Sequence, residues 1–197
     1  MPKTRLYLIA GVSLVLLVLF LVLPKQPSSV REKQTETATM NPDSMKLQQA
    51  IELVNGPNPM EGITILRDLV AKDSTNIEAQ YWLGVFAVKS GQYDKAIKRF
   101  NTVLTLDPEY LAATIDLGGV YLEMDSLDTA LSYFKRGIEI DSTNNYALLF
   151  TAQTQEKAGQ LADAKQNYER LLRHNSDTIV TKRIQEFIEN IDKKLNP

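Results

Sequence analysis

Apolar residues follow one pattern at the N-terminus of this chain and another from residue 43 onward. Residues 6–23 form a continuous run without a single charge. A helix of that length spans roughly 27 Å, close to the ~30 Å hydrocarbon core of a bilayer. A core helix of a soluble domain would present a polar face, and this segment has none. The pattern therefore predicts one transmembrane helix within residues 1–23.

Two interpretations of this segment are open: an uncleaved signal anchor, and a cleaved signal peptide that leaves a secreted or periplasmic protein. The run exceeds the ~7–15 apolar residues of a signal peptide, and no small-residue cleavage site follows it, which favours the anchor. Lys3 and Arg5 favour a cytoplasmic N-terminus, although Lys25 and its basic neighbours oppose it. We expect a single-pass protein whose C-terminal domain lies on the periplasmic or extracytoplasmic side.

Residues 24–42 contain mostly Pro, Ser, Thr, Gln and charged side chains, with almost no large apolar residues. Such a segment cannot bury enough surface to fold. It predicts a flexible linker between the membrane segment and the rest of the chain.

From residue 43 onward the sequence repeats itself at a fixed interval. The string DSTN at residues 73–76 recurs at 141–144, two such intervals later, and Asp107 stands midway. A Leu-Gly pair at residues 83–84 recurs at 117–118. A small residue and an aromatic residue keep the same interval further along: Ala96, Ala130 and Ala164, and Phe100, Phe134 and Tyr168. The interval is about 34 residues, a period that accommodates two helices and a turn.

These residues resemble the tetratricopeptide repeat family. In that family a Leu-Gly pair lies in the first helix of each hairpin, and an Ala and an aromatic residue lie in the second. The resemblance implies an all-α, right-handed superhelix of about four hairpins, of which the first and last are degenerate. The hairpins are expected at residues 43–76, 77–110, 111–144 and 145–178. Apolar residues at three- and four-residue steps predict a capping helix in residues 179–197.

Small residues are expected where the two helices of a hairpin approach closely. Gly84 and Ala96 suit such a contact, and the Gly118-Gly119 pair is interpreted as a second close-packing site because it lies inside a predicted helix. Helix starts are predicted after Asn76, Asp107-Pro108 and Asn144-Asn145, and Asn58-Pro59 resembles an N-cap followed by Pro at the first helical position.

Composition and motifs indicate no catalytic function. The chain has no Cys and one His, and it lacks a phosphate-binding loop, a nucleophile motif and a metal-ligand spacing. We therefore expect no enzyme activity, no cofactor and no metal. The net charge is −2, divided into +3 for residues 1–42 and −5 for residues 43–197. A domain with that acidic balance does not predict nucleic-acid binding.

The family resemblance places the first helices of the hairpins along a concave groove. The residues it assigns to that groove are Tyr81, Val85, Val88, Ile115, Leu122, Tyr146, Leu149 and Gln153. Two interpretations are open: these residues pack against neighbouring first helices, or they bind a protein or peptide segment through apolar anchors. The Lys and Asn with which some family members hold a partner's C-terminal carboxylate are missing here. The expected function is a membrane-tethered scaffold for protein–protein interaction, with assembly of an envelope complex as one such role; the alternative is a structural or self-associating subunit without an exchangeable ligand.

Overall fold

The computed structural model describes residues 41–174 and 178–196. Within these residues the chain forms nine α-helices and no β-strand. The helices are α1 (Pro42–Asn55), α2 (Pro59–Lys72), α3 (Ile77–Lys89), α4 (Tyr93–Leu106), α5 (Leu111–Glu123), α6 (Leu127–Ile140), α7 (Asn145–Lys157), α8 (Leu161–His174) and α9 (Thr178–Leu195). The prediction of an all-α fold with nine helices is confirmed for this part of the chain.

The predicted membrane helix in residues 1–23 and the linker before residue 41 lie outside the described residues. Among the helices that are described, none is both long enough and apolar enough to cross a membrane.

Consecutive helices pack in pairs, and the pairs stack in chain order. The pairs are α1–α2, α3–α4, α5–α6 and α7–α8, and each second helix also contacts the first helix of the next pair. First helices lie close to the first helices of neighbouring pairs, as in α3–α5 and α5–α7, whereas successive second helices lie farther apart in the described residues. The first helices therefore form the inner row of the stack and the second helices the outer row.

Asparagine side chains cap the beginning of the first helices α3 and α7. Asn76 Oδ1 accepts a hydrogen bond from the backbone N–H of Ala79 at 3.0 Å, and Asn144 Oδ1 accepts one from Ala147 at the same distance. These side chains satisfy N–H groups that have no partner inside the helix. The first helix predicted after Asp107-Pro108 begins at Leu111, the first residue of the hairpin expected at 111–144. Asp107 closes the turn before it by accepting a hydrogen bond from the backbone N–H of Glu109.

A buried aromatic side chain of the second helix fixes the spacing within the two central pairs. A Cβ added to Gly84 would stand 2.6 Å from Cε1 of Phe100, and one added to Gly118 would stand 2.6 Å from Cε1 of Phe134. Both rings are fully buried. Only a residue without a side chain allows the helices to approach this closely.

The last helix, α9, covers the end of the stack. Ile184 and Ile191 are buried in one cluster with Tyr168 and Leu171 of α8. The ring of Phe187 stacks on Tyr168 with 5.4 Å between centroids. Helix α9 therefore shields an apolar surface that a further pair would otherwise cover.

Candidate functional site

The inner row of first helices contains two adjacent apolar cavities. The first has a volume of about 540 Å³ and lies between α5 and α7. Its lining consists of Leu111, Ala112, Ile115, Asp116, Asn144, Tyr146 and Phe150. The second has a volume of about 380 Å³ and extends to α3. Its lining includes Val85, Val88, Ile115, Asp116, Gly119, Leu122 and Phe150. The residues that line these two cavities are called the groove below.

Five of the eight predicted site residues line the groove. They are Val85, Val88, Ile115, Leu122 and Tyr146. Tyr146 is 67% exposed and extends from the first turn of α7, whereas Ile115 is 8% exposed and forms part of the floor. An exposed aromatic ring beside a buried aliphatic floor is typical of a surface that another protein covers.

The other three predicted residues have different surroundings. The ring of Tyr81 packs among the aromatic side chains of α3–α5, and its hydroxyl reaches into the groove. Leu149 packs in the cluster formed by α7, α8 and α9. Gln153 is partly buried one turn further along α7. The prediction that all eight residues bind a partner is not tested by these positions and stays a prediction.

Asp116 is a groove residue that sequence reasoning missed. Its side chain is partly buried, and Oδ2 accepts a hydrogen bond from the Tyr81 hydroxyl at 2.9 Å. Burial raises the pKa of the Asp116 carboxyl above its usual value, and the Tyr81 hydrogen bond opposes this rise only in part. The sequence did contain a feature that could have identified Asp116. It is the one charged residue in α5 before Glu123 at the end of the helix.

The hydroxyl that holds Asp116 belongs to a pair of packed tyrosines. The rings of Tyr81 and Tyr110 lie 5.3 Å apart, and the Tyr110 hydroxyl donates to Oε1 of Glu78 at 2.7 Å. Burial, together with the charge of Asp116, raises the pKa of Tyr81. Both phenols therefore remain protonated donors at neutral pH and fix the orientation of the carboxylates beside them.

Phe150 is a second residue that the prediction omitted. It lines both cavities and stacks between Phe134, with 5.4 Å between centroids, and Tyr146, with 6.5 Å. This ladder of three rings runs from the buried core of α6 to the exposed edge of the groove. It provides apolar area with little rotational freedom, which favours binding of another side chain.

The interpretation of the Gly118-Gly119 pair as one close-packing site was wrong for Gly119. A Cβ added at Gly119 would meet no atom within 4 Å, because this residue faces the second cavity instead of α6. Gly118 alone makes the close contact with Phe134. The absence of a side chain at position 119 keeps the groove open.

The site provides no metal-ligand cluster in the part of the chain that the structure describes. Its polar groups include one carboxylate held by a phenol, surrounded by aliphatic and aromatic side chains. Such an arrangement suits the binding of an apolar segment with a polar or cationic group, since apolar contacts supply affinity and one oriented charge supplies specificity.

Stacked helical hairpins with an inner groove define a helical repeat protein. Residues 87–141 match a family model described as tetratricopeptide repeat, and residues 146–178 match a second model with the same description. Residues 87–141 and 146–178 therefore carry tetratricopeptide repeats, as predicted.

Similar proteins agree with this assignment. The lipopolysaccharide assembly protein B of Haemophilus influenzae is 25% identical over 134 residues, which cover 68% of this chain and 34% of that protein. The solved structure of Pseudomonas aeruginosa pilF has a TM-score of 0.64 at 19% identity and covers 78% of this chain and 74% of its own. A structure of the first TPR of Spaghetti (RPAP3) bound to the HSP90 peptide SRMEEVD has a TM-score of 0.55 at 20% identity, over 64% of this chain and 99% of that one.

These similarities differ in what they establish. Both structural matches share less than 25% of their residues with this chain and establish the fold alone. The chain spans between 8% and 34% of the length of the curated relatives that it matches. The activities of those longer proteins are therefore not transferred to it.

Proposed function

We infer that the groove binds a segment of another protein and that the chain acts as a docking scaffold. The observation that carries this proposal is the pair of apolar cavities beside Tyr146, whose ring is 67% exposed although it adjoins the buried core through Phe150. Apolar side chains of a partner would replace water on this surface, and buried anchors of that kind carry most of the affinity in protein interfaces.

The bound segment is not an acidic tail. The Spaghetti repeat binds a peptide with the sequence SRMEEVD, which carries two adjacent glutamates and a terminal aspartate. In this groove the charge at the floor is the carboxylate of Asp116, which would repel such a peptide. The anchors are therefore apolar, and the partner belongs to a different chemical class.

The proposal includes attachment to a membrane through residues 6–23, with the repeats on the extracytoplasmic side. The uncharged run in that segment supports the attachment, and the similarity to lipopolysaccharide assembly protein B supports a role in assembling an envelope complex. A full-length chain anchored in this way stays with membranes during alkaline carbonate washing. Release by the wash, or a mature N-terminus between Pro24 and Met40, would contradict the anchor and indicate a cleaved signal peptide.

Photo-crosslinking from the groove tests the docking function directly. A photoreactive amino acid replaces Tyr146 in the full-length protein, and a matched variant carries it at Lys98, an exposed position on the second helix α4. We expect a discrete protein adduct from position 146 and none from position 98. Adducts of equal yield from both positions would reject the groove as the binding surface.

The same experiment separates an exchangeable partner from a permanent subunit. An adduct that disappears when excess unlabelled protein competes during illumination indicates a segment that binds and leaves. An adduct that resists competition and appears in a one-to-one complex supports the alternative of a structural subunit. An adduct with a second copy of the same chain supports self-association.

A further inference from the structure

The carboxylate of Asp116 has no oppositely charged partner among the residues that the structure describes. It is held by the hydrogen bond from the Tyr81 hydroxyl to Oδ2. The ion pairs found in residues 41–174 and 178–196 join other residues: Lys72–Asp43, Lys157–Asp125, Lys165–Asp192 and Lys194–Glu156. A partly buried carboxylate without a cation destabilises the fold that contains it, since burial removes part of its hydration.

Asp116 lies where a segment bound in the groove would contact its carboxylate. It is the charged side chain that both cavities share, together with the apolar Ile115 and Phe150. A segment that filled both cavities would therefore pass over Asp116 and remove water from it. That segment would gain affinity if it placed a cation there, and it would lose affinity with an apolar or acidic side chain at the same point.

Most of the charged side chains in and beside the groove are acidic. Glu123 lies at the end of the second cavity, and Glu78 accepts a hydrogen bond from Tyr110 beside Tyr81. The one lysine in the lining, Lys89, donates from Nζ to Oδ1 of Asn55 on α1 at 2.7 Å. The groove thus presents an acidic centre with the cation of its own lining engaged elsewhere, and residues 43–197 as a whole carry a net charge of −5.

We propose that the partner segment carries a lysine or arginine between two apolar side chains, and that Asp116 selects it by forming an ion pair across the groove. The apolar residues occupy the two cavities, and the cation meets the carboxylate that the Tyr81 hydroxyl holds in place. The proposal rests on the docking function inferred above and adds the chemistry of the partner. Tyr81 is a positioning residue, since its hydroxyl orients the oxygen atoms that accept the cation.

A bead library of capped heptapeptides tests the proposal on the full-length chain in mild detergent. The central residue is lysine, arginine, norleucine or glutamate, and the other positions vary among Leu, Ile, Phe, Tyr, Ser and Thr. We expect retained beads to be enriched in lysine and arginine at the centre. In solution, exchange of lysine for norleucine in a retained peptide should weaken binding by about tenfold or more, measured by fluorescence polarisation.

Two isosteric variants separate the role of Asp116 from a general effect of negative charge. Asp116→Asn should bind the lysine and norleucine peptides equally well, because the amide keeps the shape and loses the charge. Asp128→Asn, an exposed position in the first turn of the outer helix α6, removes the same charge and should keep the preference for lysine. Loss of the preference in both variants would show a long-range effect of net charge and overturn the ion pair.

The remaining outcomes distinguish this inference from the docking function on which it rests. Equal affinity for lysine and norleucine peptides, both blocked by Gly119→Leu, would overturn the inference and leave the docking function intact. No retained peptide, or peptides that Gly119→Leu does not affect, would overturn both. A synthetic peptide of residues 24–42, which contains Lys25, Arg31 and Lys33, serves as a competitor. If it displaces the selected peptide better than its scrambled form does, the occupant is this chain and not a separate protein.

Discussion

The interior of a hairpin repeats almost without change along the chain, and the groove does not. Gly84 faces the ring of Phe100 in the pair α3–α4, and Gly118 faces Phe134 in α5–α6, with 2.6 Å between the ring and an added Cβ in both cases. The pair α7–α8 places a fully buried Ala152 and Tyr168 in the equivalent positions. A small residue and a buried aromatic ring thus recur in three successive hairpins, and the close approach that requires glycine occurs in two of them.

Equivalent positions on the groove side carry unrelated side chains. Trp82, Asp116 and Phe150 stand at one such position in three successive repeats. These residues are an indole, a carboxylate and a phenyl ring, which differ in size, charge and hydrogen bonding. The contrast shows that stacking constrains the interior, while the groove is free to vary and gives the repeat its individual surface.

The largest effect is expected from removing a ring that the interior repeats. Phe134→Ala should lower the free energy of unfolding by about 3–5 kcal/mol, since it leaves a cavity between α5 and α6 that backbone relaxation does not fill. Urea denaturation of the full-length protein measures the loss. A decrease below about 1 kcal/mol would mean that the interior contact is not the main constraint on the stack.

The adjacent glycines of α5 provide a matched test of the two regions. Gly118→Ala should lower the free energy of unfolding by about 1–3 kcal/mol, because the new methyl group overlaps the buried ring of Phe134. Gly119→Ala should raise it by about 0.5–1 kcal/mol, because alanine favours the helix and the groove leaves open space at this position. Melting curves of the two variants should therefore shift in opposite directions; equal shifts would contradict the assignment of the two faces.

The interior could be predicted from the sequence because it repeats. Each Gly–aromatic contact joins the two helices of a single hairpin and recurs at a fixed interval, so one sequence contains several examples of the same constraint. The nine helices and the absence of strands in the described residues followed from that period, and the caps at Asn76 and Asn144 followed from residue type. Tyr110 occupies the equivalent position before α5 and provides no side-chain cap.

The groove could be predicted only in part because it combines three helices from different hairpins. Which side chains meet there depends on how far each hairpin rotates relative to the next, and no single repeat encodes that angle. Family geometry located Val85, Ile115 and Tyr146, but it did not indicate that Asp116 and Phe150 lie between them. A single charge in an otherwise apolar stretch was the signal that could have identified Asp116.

Removal of the Asp116 charge should change the free energy of unfolding by a smaller amount and should stabilise the protein. Asp116→Asn should raise the free energy of unfolding near neutral pH by a fraction of a kcal/mol, because it replaces a desolvated carboxylate with a neutral acceptor for the Tyr81 hydroxyl. The raised pKa of Asp116 means that the folded protein binds more protons than the unfolded one. The destabilisation by the charge is therefore absent below the unfolded pKa and develops as pH rises through the folded pKa.

Denaturation at two pH values checks the sign of this effect. The difference in unfolding free energy between Asp116→Asn and the unaltered protein should be close to zero at about pH 3 and should favour the variant at about pH 7. Asp128→Asn, on the exposed outer helix, controls for the change in net charge. A variant that is less stable than the unaltered protein at neutral pH would show that the Tyr81 hydrogen bond outweighs burial.

Tyr146→Ala should have the smallest effect on stability, although we expect Tyr146 to contribute strongly to binding. Tyr146→Ala should change the free energy of unfolding by less than about 0.5 kcal/mol, since its ring is 67% exposed and touches the core only through Phe150. The same change should weaken binding of the selected lysine peptide by about fivefold or more, because an aromatic anchor is lost. Lys98→Ala, at an exposed position on α4 outside the groove, serves as the control and should alter neither quantity. If Tyr146→Ala keeps full peptide affinity, the binding surface excludes the exposed edge of the first cavity, and the second cavity with Val85 and Leu122 becomes the region to test.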